Sequence, residues 1–273
     1  MINKLGKYAE NVSLAWFWAR VYKRTSNLAY PEGGFLNFAK HLEKEIKKRG
    51  GNFYYDTEVI KLTSEKNPNI HFKSNKNYTT QSKDFDAVIV TLPSPLFVII
   101  APQLPRSYKQ KLNKLKSIGA VNLVLRLKKP FFTDGTYWLS MCDLKSPILA
   151  IVEHTNFMNK KNYNNEHLLY VGNYMEKNDP RFTMSPEKLL KLYDPWLKKI
   201  NSNYKLQIIS CKPFRAPFAQ PITPPNYSKN LPSFKTPLKN VYLANIQQVY
   251  PWDRGTNYAV ELGEKIAKIA ATG

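Results

Sequence analysis

The sequence predicts an α/β fold, α+β overall, in which an antiparallel sheet with helices is inserted between two α/β pieces. Three observations carry this. Residues 87–92 form a continuous apolar run, the pattern of a parallel strand covered on both faces. Residues 241–244 form a second short apolar strand, followed by a polar crossing and a helix that opens near Gly255-Thr256. Between these pieces, from residue 102 to about 236, strand-like runs are broken by turn signals such as Thr133-Asp134-Gly135.

Taken in order, residues 1–24 are expected to be helical, with Leu14, Trp16, Phe17, Ala19 and Val21 as a broad apolar surface and no capping signal at the start. Tyr30-Pro31-Glu32-Gly33-Gly34-Phe35 is a turn that opens an amphipathic helix. Phe35, Phe38, Leu42 and Ile46 mark its expected buried stripe, and Lys47, Lys48 and Arg49 suit the negative end of its dipole. Gly50-Gly51 ends it. Residues 52–62 read as two short strands, F-Y-Y and E-V-I-K-L, split at Asp56-Thr57, and a polar hairpin follows with its turn at 74–77. Pro93 stops the apolar strand, and Ser94-Pro95 reads as an N-cap with the first helical residue.

Leu112, Leu115 and Ile118 suggest a short helix ending near Gly119. Strands are expected over 120–127, 136–141, 148–153, 167–174 and 205–212. Ser185-Pro186-Glu187 caps a helix that Pro195 is expected to kink. The proline-dense stretch 213–225 reads as an extended, pre-ordered loop. No internal repeat is evident.

Composition narrows the classes. With 273 residues, 43% hydrophobic and 13% aromatic, the chain is globular, as one large domain or two smaller ones. No apolar run is long enough for a transmembrane segment, and no signal core follows the basic residues 1–7, so a soluble cytoplasmic protein is the default expectation. Cys142 and Cys211 suggest neither a disulfide framework nor a metal site, and each is expected as a buried free thiol. The four histidines, His41, His71, His154 and His167, show no ligand spacing, so zinc chemistry and a histidine triad are poorly supported. The net charge is +21, yet of 41 basic residues only Arg20, Arg24, Arg49, Arg106, Arg126, Arg181, Arg215 and Arg254 are arginine. Nucleic-acid sites cluster their basic residues and lean on arginine, so no specific nucleic-acid partner is expected.

The richest chemistry lies in residues 241–263. Asn245, Gln247, Gln248, Tyr250, Trp252, Asp253 and Arg254 crowd one crossing ahead of a helix N-terminus, the arrangement that offers backbone N–H groups to an anion. Thr256 or Asn257 can cap that helix, Gly255 allows close approach, and Tyr258, Ala259, Leu262, Ile266 and Ile269 recur as one expected buried face. The plainer alternative is a solvated loop with an Asp253–Arg254 charge pair. Gly33-Gly34 likewise reads either as an ordinary turn or as bare backbone against a ligand. Thr91 to Pro93 falls at a carboxyl edge, where open α/β sheets bind ligands.

Together, Y-P-E-G-G-F with its helix, G-G-x-F-Y-Y-x-T-E-V, D-A-V-I-V-T-L-P and V-Y-L-A-N…Y-P-W-D-R-G-T-N-Y-A-V-E-L-G resemble the flavin-dependent amine oxidase and protoporphyrinogen-oxidase-like superfamily. The resemblance covers nearly the whole chain, and R-A-P-F-A-Q-P-I (215–222) resembles that family's strand at the flavin cavity. It implies FAD as cofactor, with contacts from Gly33, Gly34, Val59, Thr91, Pro93, Asn245, Arg254, Gly255, Thr256 and Ala259. It also implies a discontinuous FAD-binding domain, 25–100 with 236–273, and a substrate domain, 1–24 with 101–235.

One departure matters. The family's opening strand and G-x-G-x-x-G turn, which cradle the pyrophosphate, have no counterpart here. The expectation is therefore a partial FAD-binding Rossmann-like domain without its N-terminal βαβ unit, either truncated or completed by a separate chain. The implied activity is oxidation of a C–N or C–C bond of a small-molecule substrate by hydride transfer to flavin, with no catalytic residue assigned. Non-redox catalysis on a sugar nucleotide, as in related mutases, and a non-catalytic fragment are the alternatives.

Overall fold

The computed structural model describes residues 2–23, 27, 29–74 and 79–272. The chain divides into two compact units, Met1–Asn11 with Ser117–Ile222 and Val12–Lys116 with Thr223–Gly273. The helices are α1 (Ile2–Leu5), α2 (Leu14–Tyr22), α3 (Gly34–Lys48), α4 (Ser94–Ile100), α5 (Arg106–Asn113), α6 (Pro186–Ile200), α7 (Tyr227–Asn230) and α8 (Thr256–Thr272). The strands are β1 (Thr57–Ser64), β2 (Pro68–Ser74), β3 (Thr80–Asp84), β4 (Val88–Val90), β5 (Ser117–Leu127), β6 (Trp138–Ser140), β7 (Ala150–Glu153), β8 (His167–Met175), β9 (Ile208–Pro221) and β10 (Val241–Leu243). No helix among the described residues is long and apolar enough to cross a membrane.

The unit built on 117–222 is an antiparallel sheet in the order β6-β7-β8-β5-β9. β5 shows why it forms: Val121, Leu123, Leu125 and Leu127 are wholly buried while the intervening Asn122, Val124 and Arg126 are half-buried. Such period-2 alternation presents one face to a core. The strand starts at Ser117 and the alternation runs from Gly119, so Ile118 and Gly119 belong to β5 and not to the end of a helix as their spacing suggested. α6 covers the sheet with Leu189, Tyr193 and Leu197, spaced on one helical face. Ser185 caps it by accepting the Lys188 N–H at 3.3 Å, and the helix runs through Pro195 to Ile200.

β9 carries Pro213, Pro217 and Pro221, so the proline-rich stretch is extended but forms a strand for most of its length instead of the expected loop. Proline is tolerated there because β9 is the sheet edge, where a missing N–H breaks no ladder. Cys142 falls just beyond β6 and is exposed, and Cys211 is half-buried in β9; both are free thiols. The buried thiol expected for Cys142 does not occur, because β6 ends at Ser140 and Asp143 turns the chain by accepting the Lys145 N–H at 2.8 Å.

The other unit holds a three-stranded antiparallel sheet, β1-β2-β3, and a parallel pair, β4-β10. Of the two strands expected in 52–62 only β1 forms; Phe53 to Tyr55 is irregular, and Asp56 adopts a left-handed φ of 52°. Residues 75–77 of the expected hairpin turn lie outside the described residues. Val90, Phe97, Leu112, Val241 and Leu243 build the main core of this unit. On the opposite face of β10, Tyr242 and Ala244 pack with Ile266 of α8. β10 is thus covered on both faces, as its apolar run requires. β4 is not, since Ile89 remains 39% exposed.

Two helix expectations also change. Residues 1–24 are not one helix: α1 gives way at Gly6 (φ 51°) to a 3-10 turn, and extended backbone at Ser13 precedes α2. The apolar face of α3 is periodic but uncovered, with Phe35, Leu42 and Ile46 each near half exposed. Its ends match the sequence. Gly33 (φ 72°) and Gly34 (φ 84°) open it, and Gly50 (φ 86°) closes it, with the Gly51 N–H returning to the Ile46 carbonyl at 3.0 Å.

Glu153 closes β7 with no exposed surface, its carboxylate accepting the Phe131 and Phe132 N–H groups at 3.0 and 2.7 Å, with His167 Nδ1 at 3.4 Å. Burial pushes its pKa above the ordinary glutamate value, outweighing those hydrogen bonds. A raised folded-state pKa stabilises below the unfolded value and loses that contribution as pH climbs through the folded one. The stability of this unit should therefore fall as pH rises from the ordinary glutamate range through the raised value. Urea titrations across that window should show Glu153→Gln flattening the slope; an unchanged slope would assign it to other groups.

Candidate functional site

The site grows from the two parallel strand ends. β4 and β10 pair in register, Val88 with Val241 and Val90 with Leu243, and the Ala244 N–H extends the ladder to the Val90 carbonyl at 2.9 Å. This sets Thr91 beside Ala244, and both chains leave the sheet at the same end. Asn245 locks the exit. Its Nδ2 donates to the Leu92 carbonyl at 3.1 Å and to Ser94 Oγ at 3.2 Å, and its Oδ1 accepts the Gln247 N–H at 3.1 Å.

Asn245 also opens a 3-10 turn over Ile246–Val249 through a capping box, in which Gln248 Oε1 accepts the Asn245 N–H at 2.8 Å. Gln247 donates from Nε2 to the Leu115 carbonyl at 3.0 Å and accepts the Ser94 hydroxyl hydrogen, while its backbone carbonyl accepts the Tyr227 hydroxyl at 3.1 Å. Burial pushes the Tyr227 hydroxyl pKa up, keeping it a donor. Asn245 is 4% and Gln247 2% exposed. These amides, which looked available for a ligand, are spent on their own chain.

The rest of the crossing is more open. Tyr250 shares a hydroxyl bond with Ser13 Oγ at 2.8 Å, and Trp252 stacks on Tyr258 with ring centroids 5.9 Å apart. Asp253 pairs with Arg20, whose guanidinium lies 5.3 Å from the Trp16 ring, and Glu261 pairs with Lys265. The expected Asp253–Arg254 pair is replaced by this longer-range one. Among the described residues Asp253 Oδ1 is buried with no hydrogen-bond partner.

α8 starts as expected: its first bond runs from the Ala259 N–H to the Gly255 carbonyl at 3.0 Å. The N–H groups of residues 256–258 therefore precede the helical ladder. Thr256 and Ala259 are exposed, while Arg254 and Gly255 are half-buried. Ala259 thus departs from the expected buried face, which reduces to Ile266 with partly buried Leu262 and Ile269.

Hydrogen bonds bring Asn245 directly to the Thr91–Pro93 corner, and Arg254, Gly255, Thr256 and Ala259 follow at the far end of the crossing. Pro93 is the N-cap residue of α4, one position earlier than the sequence suggested, which frees Ser94 for the amide network. Gly33, Gly34 and Val59 lie on α3 and β1 of the same unit, and no hydrogen bond among the described residues ties them to that corner. Gly34 is buried, and a Cβ on Gly33 would stand 2.9 Å from the Asn37 amide. Val59 pairs with Phe72 on the edge strand β1, beside a register shift. Sequence reasoning missed Ser94 and Tyr227. The N-x-x-Q spacing of Asn245 and Gln248 was a legible signal for the capping box. No group of three or more potential metal ligands occurs among the described residues.

Asn245→Ala strips partners from the Leu92 carbonyl and Gln247 N–H, and Gln247→Ala strips them from the Leu115 carbonyl. Each buried orphan costs about 1–3 kcal/mol. Denaturant midpoints should show both variants destabilised by that order, with exposed Glu264→Ala within about 0.5 kcal/mol of wild type. A neutral Asn245→Ala would show that the clamp holds nothing.

The family model for flavin containing amine oxidoreductase matches residues 5–248. No curated protein matches the sequence. Among solved structures, an Exiguobacterium sp. 255-15 protein assigned as a protoporphyrinogen oxidase superposes with a TM-score of 0.68 at 15% identity, over 93% of this chain and 55% of its own. Cyclohexylamine oxidase from Brevibacterium oxydans IH-35A gives 0.58 at 14%, over 79% and 48%. Reduced UDP-galactopyranose mutase gives 0.66 at 11%, over 93% and 56%. The chain spans about half the length of the structures it matches. At these identities the structures establish a shared fold, and the family match over most of the sequence establishes membership: the chain belongs to the flavin-containing amine oxidoreductases.

Proposed function

We propose that the chain supplies the substrate-facing and flavin-covering portion of a cytoplasmic FAD-dependent oxidoreductase that oxidises a C–N or C–C bond of a small molecule. The observation that carries this is the family match across residues 5–248, joined to two parallel strand ends that open on one polar corner. Residues 25–100 and 236–273 are assigned to the cofactor, and 1–24 and 101–235 to the substrate. This reading requires a dinucleotide-binding βαβ unit bearing G-x-G-x-x-G from outside these residues.

The residues present suit FAD in two respects. Gly33 and Gly34 hold left-handed backbone without side chains of their own, and Gly33 is exposed. The N–H groups at the start of α8, with Arg254 before them, favour negative charge on a phosphate or on a reduced ring. Flavin, when bound, supplies acceptance of a hydride equivalent. The chain's own part is to fix the Thr91–Pro93 corner through Asn245, to offer these donors, and to keep water from the reacting bond. A second reading, non-redox turnover of a sugar nucleotide, rests on the mutase likeness; turnover without an electron acceptor would favour it.

Titrating the purified chain with FAD, followed by absorbance near ~450 nm and by flavin fluorescence, should show weak, saturable binding. Arg254→Ala should weaken it about tenfold, equivalent to about 1.4 kcal/mol, with circular dichroism unchanged. No saturable binding by the wild-type chain would remove autonomous flavin binding from the account.

A further inference from the structure

The five-stranded sheet has a second face, opposite the one that α6 covers. Cross-strand partners in an antiparallel ladder project from the same side, so the register lays this face out row by row. One row runs Ala150, Gly172, Asn122 and Phe214 from β7 to β9. In the next row Tyr170 and Lys212 flank Val124, with Trp138 at the far edge. Trp138 and Phe214 are 57 and 53% exposed, so rings stand open at both edges of a centre made of small residues. Aromatic rims around a low floor suit a flat apolar ligand.

Two polar groups give this surface direction. The Asn122 carboxamide lies over Gly172, where a Cβ would stand 2.8 Å from its Oδ1. It is half-buried and has no hydrogen-bond partner among the described residues. Burying an amide is offset only when something bonds it. Lys212 lies on the diagonal from Asn122, a spacing of about 7–8 Å. Its Nζ is 5.5 Å from the Phe214 ring, and no carboxylate among the described residues pairs with it. The remaining charges of this face are cancelled or cationic. Arg126 is held by Glu166 through bonds of 2.5 and 2.6 Å, and Lys4 of α1 stands 5.3 Å from the Tyr174 ring. The face therefore attracts an anionic group and repels a protonated amine. On the oxidoreductase reading above, on which this assignment rests, we propose that the face selects a flat apolar substrate carrying a carboxylate. Lys212 takes the carboxylate, and Asn122 bonds a polar atom of the same molecule.

Naphthylacetate, naphthylacetamide and naphthylmethylamine share one ring system and differ in charge. Calorimetric titration of the full chain without flavin should give saturable binding, the carboxylate at least about tenfold tighter than the amine. Backbone amide signals of residues 122, 172 and 214 should shift with the same saturation. Lys212→Glu should reverse the order, while Lys191→Glu, the same charge change on the exposed side of α6, should leave it intact. Asn122→Leu, with circular dichroism unchanged, should weaken all three about fivefold. No saturable binding, an equal or reversed preference in the wild-type chain, signals at 122 and 172 that stay put, or equal losses in both lysine variants would overturn the proposal. So would tighter binding of uridine diphosphate than of naphthylacetate, which would give the face to a nucleotide. A carboxylate preference in a chain that takes up no FAD would leave this face standing and remove the flavin reading; FAD uptake without probe binding would do the reverse.

Discussion

The Asn245 carboxamide fixes how β4 and β10 leave their sheet. Its two donor hydrogens and its acceptor oxygen are all used, toward the Leu92 carbonyl, Ser94 Oγ and the Gln247 N–H. Gln247 extends the grip to Leu115 and Tyr227, so segments far apart in sequence meet at one buried knot. Buried amides of this kind hold geometry because every unmade bond is expensive. The direction of the Thr91–Pro93 corner and the path to α8 both follow from it. A fixed frame of this kind is what a site for a planar cofactor needs.

That knot also shows what sequence could and could not reveal. The order strand, crossing, helix was legible because its signals are local: an apolar run, a glycine before a threonine, a 3.6-residue period. The glycines at both ends of α3 were legible for the same reason, each occupying left-handed backbone. The use of Asn245 and Gln247 was not. An amide announces its hydrogen-bonding capacity, but its partners lie more than a hundred residues away in Leu92, Ser94 and Leu115. Burial was illegible for a related reason. Periodicity told which face of α3 is apolar and which strand is continuous, yet whether anything covers Leu42 or Ile89 is decided by tertiary packing.

A flavin-containing amine oxidoreductase sequence matches over residues 5–248, while the G-x-G-x-x-G turn that holds the pyrophosphate in such folds is missing from the sequence. The elements proposed to face the cofactor, Gly33-Gly34, the β4 corner and the start of α8, come from three separate stretches of one unit. The large positive charge is spread over lysines too dispersed to define a single site.

The most direct test of the claim that these stretches form one side of a flavin site is photolabelling of the full chain with an azido derivative of FAD, followed by peptide mapping. The account predicts label, displaced by unmodified FAD, in peptides containing Gly33-Gly34, Thr91–Pro93 and Arg254–Ala259. Label that FAD does not displace, or that falls mainly in the antiparallel sheet of the other unit, would contradict it.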